Sequence, residues 1–141
     1  MPRPQFTLRA LLVAMLVVSV ALGWFTQRRR RLAEEAATSQ VLSKGGMVGS
    51  NSSGTVTAIV FAGQRGDSDL AANIADADLD VLRVFPRLHE LDLSGRPITD
   101  AAVPLLSRLK TLRVLRLSGT KLTDDGVRRL QAAIPGCSIE R

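Results

Sequence analysis

Residues 88–135 carry one pattern written twice, and no other feature narrows the possible folds so much. Leu88-His89-Glu90-Leu91-Asp92-Leu93-Ser94-Gly95 is followed, 24 residues later, by Leu112-Arg113-Val114-Leu115-Arg116-Leu117-Ser118-Gly119. The agreement continues: Ile98-Thr99-Asp100 returns as Leu122-Thr123-Asp124, Val103 as Val127, and Leu106 as Leu130. Self-similarity at a fixed period in the twenties marks a chain built by stacking one small unit.

Each unit divides into two parts with different periodicity. Leu91 and Leu93 alternate with Glu90 and Asp92, the spacing of a half-buried strand. Ser94-Gly95 ends that strand. Thr99-Asp100 then supplies side-chain oxygens suited to a helix start. Val103, Leu106 and Leu109 follow at helical spacing and are expected to face back onto the strand. One strand and one helix cannot bury such a face alone, so the core must run between neighbouring units.

The pattern extends beyond its two clear copies. Upstream, Ile74, Asp76, Leu79, Leu82 and Phe85 stand 24 residues before Ile98, Asp100, Val103, Leu106 and Leu109. The matching strand covers residues 56–63, with Ile59 and Phe61 in the places of Leu91 and Leu93. It lies 32 residues before its partner, which implies an eight-residue insertion between Gly63 and Ile74. Downstream, Ile139 falls on Leu115, so residues 137–141 are expected to form a closing edge strand.

These residues resemble the leucine-rich repeat family, in the variant L-x-x-L-x-L-S-G-T-x-(I/L)-T-D-x-G-(V/L)-x-x-L of ribonuclease-inhibitor-like, GALA-type and cysteine-containing repeats. Residues 112–130 match nearly throughout, and the preceding copy departs at Arg96 and Ala102. The resemblance covers about residues 56–141. It implies an α/β fold, a short solenoid with parallel strands on one face and helices on the other. The expected repeats are 56–87, 88–111 and 112–135, with a terminal strand at 136–141, inside a domain spanning 47–141. The resemblance also implies a protein-interaction scaffold rather than an enzyme.

The chain carries a formal net charge of +6, which taken alone points toward nucleic acid. Its distribution argues otherwise. Arg3, Arg9, Arg28, Arg29, Arg30 and Arg31 precede every acidic residue, and beyond them 13 cations face 13 acids. The surplus base flanks an apolar segment, where arginine meets lipid headgroups. No aromatic residues interleave with a basic stripe, so no nucleic-acid partner is expected.

That apolar segment, residues 10–26, reads ALLVAMLVVSVALGWFT. Seventeen residues at the helical rise span roughly 26 Å, enough to cross a thin bilayer core. Trp24 occupies the place of an interfacial aromatic. The expected layout is an N-terminal tail at 1–9, a transmembrane helix at 10–27, and a juxtamembrane helix and linker at 28–46. Membrane lipid is therefore an expected partner. The alternative is a secreted or periplasmic product, cleaved after Ser19-Val20-Ala21. The four arginines after the apolar run oppose translocation and favour a retained single-pass anchor, with the repeats in the cytoplasm by the positive-inside rule. The opening Phe6-Thr-Leu-Arg resembles a type IV prepilin start, but Gln5 and Ala10 replace that motif's glycine and glutamate. Beyond the membrane, Arg30/Glu34 and Arg31/Glu35 are spaced to pair along a helix that Lys44-Gly45-Gly46 should stop. Met47-Val48 suits a short strand, and residues 50–54 suit a turn.

Residues able to carry chemistry are sparse. His89 and Cys137, each the sole representative of its type, occupy one repeat column two strands apart. That places them roughly 10 Å from each other, too far for a nucleophile pair. Asp76-x-Asp78-x-Asp80 imitates the opening of a calcium loop, but Val81 stands where that loop needs glycine and Arg87 where it needs glutamate. No catalytic residue, cofactor, metal or small-molecule substrate is therefore expected. The surface left for function is the open face of the strands. Its candidate contact residues are His89, Glu90, Asp92, Arg113, Val114 and Arg116, offered to a protein partner of unknown identity. Along the column Val60, Asp92, Arg116, Glu140 the charges alternate in sign and are expected to offset one another.

Overall fold

The computed structural model describes residues 8–61 and 74–141, with side chains from residue 11 onward. Residues 1–7 and the eight-residue insertion lie outside the described residues, and Leu8 and Arg9 of the expected tail already belong to the first helix. The chain is a mixed α/β protein with a long N-terminal helix and a five-stranded sheet. It divides into two compact units, Met1–Glu35 and Ala36–Arg141.

The first unit is the greater part of helix α1 (Leu8–Ser43). From Leu11 to Phe25 its apolar side chains are exposed on every side of the helix. By length and composition it is the one helix among the described residues able to cross a membrane. Its few hydroxyls are satisfied within the helix: Ser19 Oγ donates to the Met15 carbonyl at 2.8 Å and Thr26 Oγ1 to the Gly23 carbonyl at 2.9 Å. The Arg31/Glu35 ion pair expected from spacing is absent among the described residues. Helix side chains lean toward the N-terminus, so an arginine placed before its glutamate leans away from it.

The second unit opens with the last residues of α1, whose Ala37 and Val41 are buried in its core. The helix stops where the glycines predict. The Gly45 amide donates to Leu42 and the Gly46 amide to Val41, both at 3.0 Å, with Gly45 at φ 73°. This is a Schellman closure, which only a residue free to adopt the left-handed conformation completes without strain. Gly46 is needed for space, since a Cβ there would sit 2.5 Å from the Phe61 ring.

Strands β1 (Met47–Ser50) and β2 (Val56–Val60) form an antiparallel hairpin. Asn51 organises its turn: Asn51 Oδ1 accepts from the amides of Ser53 (3.1 Å) and Thr55 (2.9 Å). Then β2, β3 (Glu90–Asp92), β4 (Val114–Arg116) and β5 (Ser138–Glu140) lie side by side, parallel and in sequence order. Ile59 pairs with Leu91, Leu91 with Leu115, and Leu115 with Ile139. The 24-residue offset is thus the register of β3, β4 and β5, and the 32-residue spacing that of β2 with β3. Ile59, Leu91, Leu115, Phe61, Leu93 and Leu117 are all buried, while Val60, Asp92 and Arg116 between them are not.

The segments that return the chain differ from the helices expected of them. Residues Asp76–Val84 form a 3-10 helix, and the next return is a 3-10 turn, Asp100–Ala102, running into the single-turn α2 (Val103–Leu106). Only α3 (Asp124–Ala133) is a multi-turn α-helix. Residue spacing accounts for part of the difference. Leu79, Leu82 and Phe85 are buried at intervals of three along the 3-10 helix, and Val103, Leu106 and Leu109 keep that interval although Val103–Leu106 closes one α-helical turn. A strict interval of three matches the three residues per turn of a 3-10 helix. In α3 the buried positions Gly126, Leu130 and then Ile134 are four apart, which is α-helical spacing.

This change of winding shifts the end of the last return by one residue, before β5 resumes the 24-residue offset. Phe85 and Leu88, then Leu109 and Leu112, bracket the turn into each strand, with the later amide donating to the earlier carbonyl. In the third turn those places are taken by Ile134 and Cys137, joined by the same bond at 3.0 Å. Cys137 therefore stands in the core role of Leu112, not in the open column with His89 and Arg113. It is 3% exposed, and burial raises its thiol pKa above the usual value.

Candidate interaction face

Strands β3 and β4 carry Glu90, Asp92, Val114 and Arg116 of the six candidate contact residues, and His89 and Arg113 directly precede them. The register sets Glu90 beside Val114 and Asp92 beside Arg116. His89 leads into β3, and its carbonyl accepts from the amides of Arg113 (2.7 Å) and Val114 (3.0 Å). The two strands and the residues just ahead of them thus set the six beside one another. Arg113 is exposed and the other five are half-buried.

The charges on this face pair along the row between Arg116 and Glu140, as their alternating signs predict, but not between Asp92 and Arg116. Arg116 Nη1 donates to Glu90 Oε1, a diagonal neighbour on β3, and Arg116 Nε donates to Glu140 Oε2 on β5 at 2.9 Å. The Glu90 carboxylate holds the Arg116 guanidinium above its ordinary pKa. Asp92 takes a different role. Asp92 Oδ1 accepts from the Ser94 amide at 2.9 Å, closing the turn that leaves β3 through Gly95 at φ 71°. Alternation of sign in the Val60, Asp92, Arg116, Glu140 column therefore does not translate into Asp92–Arg116 pairing. Arg113 has no ion-pair partner among the described residues. His89, Arg113 and Val114 are the members whose side chains are not already tied to a neighbouring charge or turn.

A second array joins neighbouring turns at the strand-to-helix edge; the threonines start their helical segments as the sequence predicts, but the aspartates do something else. Asp76 accepts from the Thr99 amide (2.8 Å) and hydroxyl (2.5 Å), and Asp100 accepts from the Thr123 amide (2.9 Å) and hydroxyl (2.6 Å). Each threonine in turn caps its own helical segment, Thr99 through the Ala101 amide and Thr123 through the Gly126 amide. The aspartates do not cap their own helices; each holds the next copy. Asp124, the third in the series, pairs with Arg141. The signal was present as Asp76, Asp100 and Asp124 at a constant interval, but their partners lie in the neighbouring unit.

The acidic run has no metal-like convergence. Asp76 serves Thr99, Asp78 accepts from Lys44 Nζ at 2.6 Å and from the Ala75 amide, and Asp80 pairs with Arg83 at 3.0 Å. The Lys44 bond, helped by the Ala75 amide, lowers the Asp78 pKa from its usual value. Among the described residues no three His, Cys, Asp or Glu side chains gather as ligands. A departure from the repeat pattern, Arg96, is buried, and its Nε donates to the Phe61 carbonyl at the end of β2. Desolvation lowers its pKa. A recess of about 360 Å³ between Phe85, Pro86 and Arg108 lies off the strand face and contains none of the six residues.

No family model, curated protein or solved structure matches the chain.

Proposed function

We propose that this chain is a single-pass membrane protein whose second unit is a short leucine-rich repeat solenoid, acting as a non-catalytic module that binds another protein. The observation that carries the reading is the register: four parallel strands in sequence order, offset by the sequence repeat, with leucines stacked on leucines. The all-round exposure of the apolar run from Leu11 to Phe25 supports the anchor, because an apolar surface of that extent needs lipid or protein around it. The positive-inside rule places the repeats in the cytoplasm.

The partner docks on the open strand face, and the anchors are His89, Arg113 and Val114. Glu90, Asp92 and Arg116 frame them but are held by their neighbours. A photocrosslinking amino acid placed at Arg113 in the full-length chain, in cells, tests this against the same group placed at Arg128 on α3. The face reading expects a discrete crosslinked protein from position 113 and none from 128. Crosslinks confined to 128 would move the interface to the helical layer. Digestion of intact and permeabilised cells reports the orientation, with the repeats expected to survive in the intact ones.

A further inference from the structure

Midway along α1, just beyond the apolar run, lies a shallow recess. Trp24, Gln27, Arg28 and Arg31 follow one another at i, i+3, i+4 and i+7, which aligns them on one stripe of the helix. They line a recess of about 180 Å³. The Arg28 guanidinium lies over the Trp24 ring, 5.1 Å from its centroid. On the next stripe the Arg29 guanidinium lies 4.5 Å from the centroid of Phe25. Both arginines thus bend back toward the apolar run, the direction in which helical side chains lean.

The stacking fixes where the charge sits. A guanidinium stacked on an aromatic face keeps its N–H groups at its rim, free to hydrogen-bond outward. Arg31 has no ion-pair partner among the described residues. The lining therefore offers two cations, a carboxamide and no acid. Two guanidinium forks suit the oxygens of a phosphate, and Gln27 offers both a donor and an acceptor to a headgroup hydroxyl. A headgroup carrying its own ammonium would bring a third cation beside these two.

We infer that this recess binds the phosphate of an anionic phospholipid headgroup and thereby selects anionic over zwitterionic lipid around the helix. The inference rests on the membrane reading above and adds the lipid class and the residues that choose it. Arg28 and Arg31 hold the phosphate, Trp24 holds Arg28, and Gln27 contacts the headgroup alcohol.

The chain carries its own reporter, because Trp24 is the sole tryptophan and there is no tyrosine. The full chain is reconstituted in phosphatidylcholine vesicles containing a fixed share of either brominated phosphatidylglycerol or brominated phosphatidylcholine, and quenching of Trp24 is read. The expected result is a preference for brominated phosphatidylglycerol of up to about thirtyfold in local occupancy, as two arginines at about 1 kcal/mol each provide. Arg28→Gln with Arg31→Gln should remove the preference while leaving quenching by brominated phosphatidylcholine intact. Arg29→Gln with Arg30→Gln removes the same charge off the stripe and should keep most of it. Equal loss in both double variants would reduce the effect to net charge and overturn the recess. Competition by inorganic phosphate that abolishes the preference would make it a site for the free anion. Equal quenching by both lipids would overturn the selectivity alone, whereas no quenching by either would overturn the membrane anchor.

Discussion

Asp100 accepts from both the amide and the hydroxyl of Thr123, and the bond crowds position 126. A Cβ on Gly126 would lie 2.3 Å from Asp100 Oδ1. Alanine is favoured over glycine inside a helix by about 1 kcal/mol, so Gly126→Ala would stabilise an isolated α3. In this protein it is expected to lower Tm instead, by several degrees, because the incoming methyl displaces the carboxylate that joins two copies. A thermal melt decides, and a raised Tm would show that the contact yields easily. The same carboxylates govern the response to acid. The Thr123 hydroxyl and amide hold the Asp100 pKa below its usual value, and Lys44 does so for Asp78. A depressed folded pKa gives stability that is fully present above the unfolded value, near pH 4. That stability is lost as pH falls through the folded pKa. Melts should therefore hold steady from neutrality down to about pH 4 and fall below it, with a shallower fall in Asp100→Asn.

Within the strands, neighbouring positions have opposite fates. Leu117 follows β4 and is 1% exposed, whereas Arg116 lies on the open face with its charge shared between Glu90 and Glu140. Leu117→Ala is expected to cost about 2–5 kcal/mol, the range for truncating a buried leucine, and so to remove much of a small unit's stability. Arg116→Ala should leave Tm within about 5 °C of the parent. Comparable losses in circular dichroism melts of the two would contradict the strand alternation. These strands were legible in the sequence because a period-two pattern repeated at a fixed offset reports register directly, and Leu91 opposite Leu115 follows from it. The winding of the returns was less legible. The intervals of three in Leu79, Leu82, Phe85 and of four in Leu130, Ile134 were written in the chain, but both satisfy a loose helical pattern. Cys137 leaves its column for the same reason, since the end of the α3 return is shifted by one residue before β5 resumes the 24-residue offset. The candidate face was legible as a set of residues but not as a network. Which carboxylate Arg116 reaches depends on diagonal geometry, and Asp92 is taken by a turn that the column pattern does not show.

At the scale of the whole chain, charge and hydropathy divide where the structure divides. The net charge of +6 comes from the arginines that flank the apolar run, while the rest of the chain balances its acids and bases. On the proposed reading the excess base belongs to the membrane, and the second unit is left nearly neutral, which suits a protein partner better than a polyanion. Everything proposed for the strand face presumes that the anchor stays attached. A cleaved chain would release the same repeats with neither the arginine cluster nor Trp24 held at a bilayer. The direct test is intact mass spectrometry of the carbonate-resistant membrane fraction. The account predicts the uncleaved chain of 15.2 kDa in the membrane pellet. A shortened chain beginning near Leu22 and recovered in the carbonate wash would contradict it.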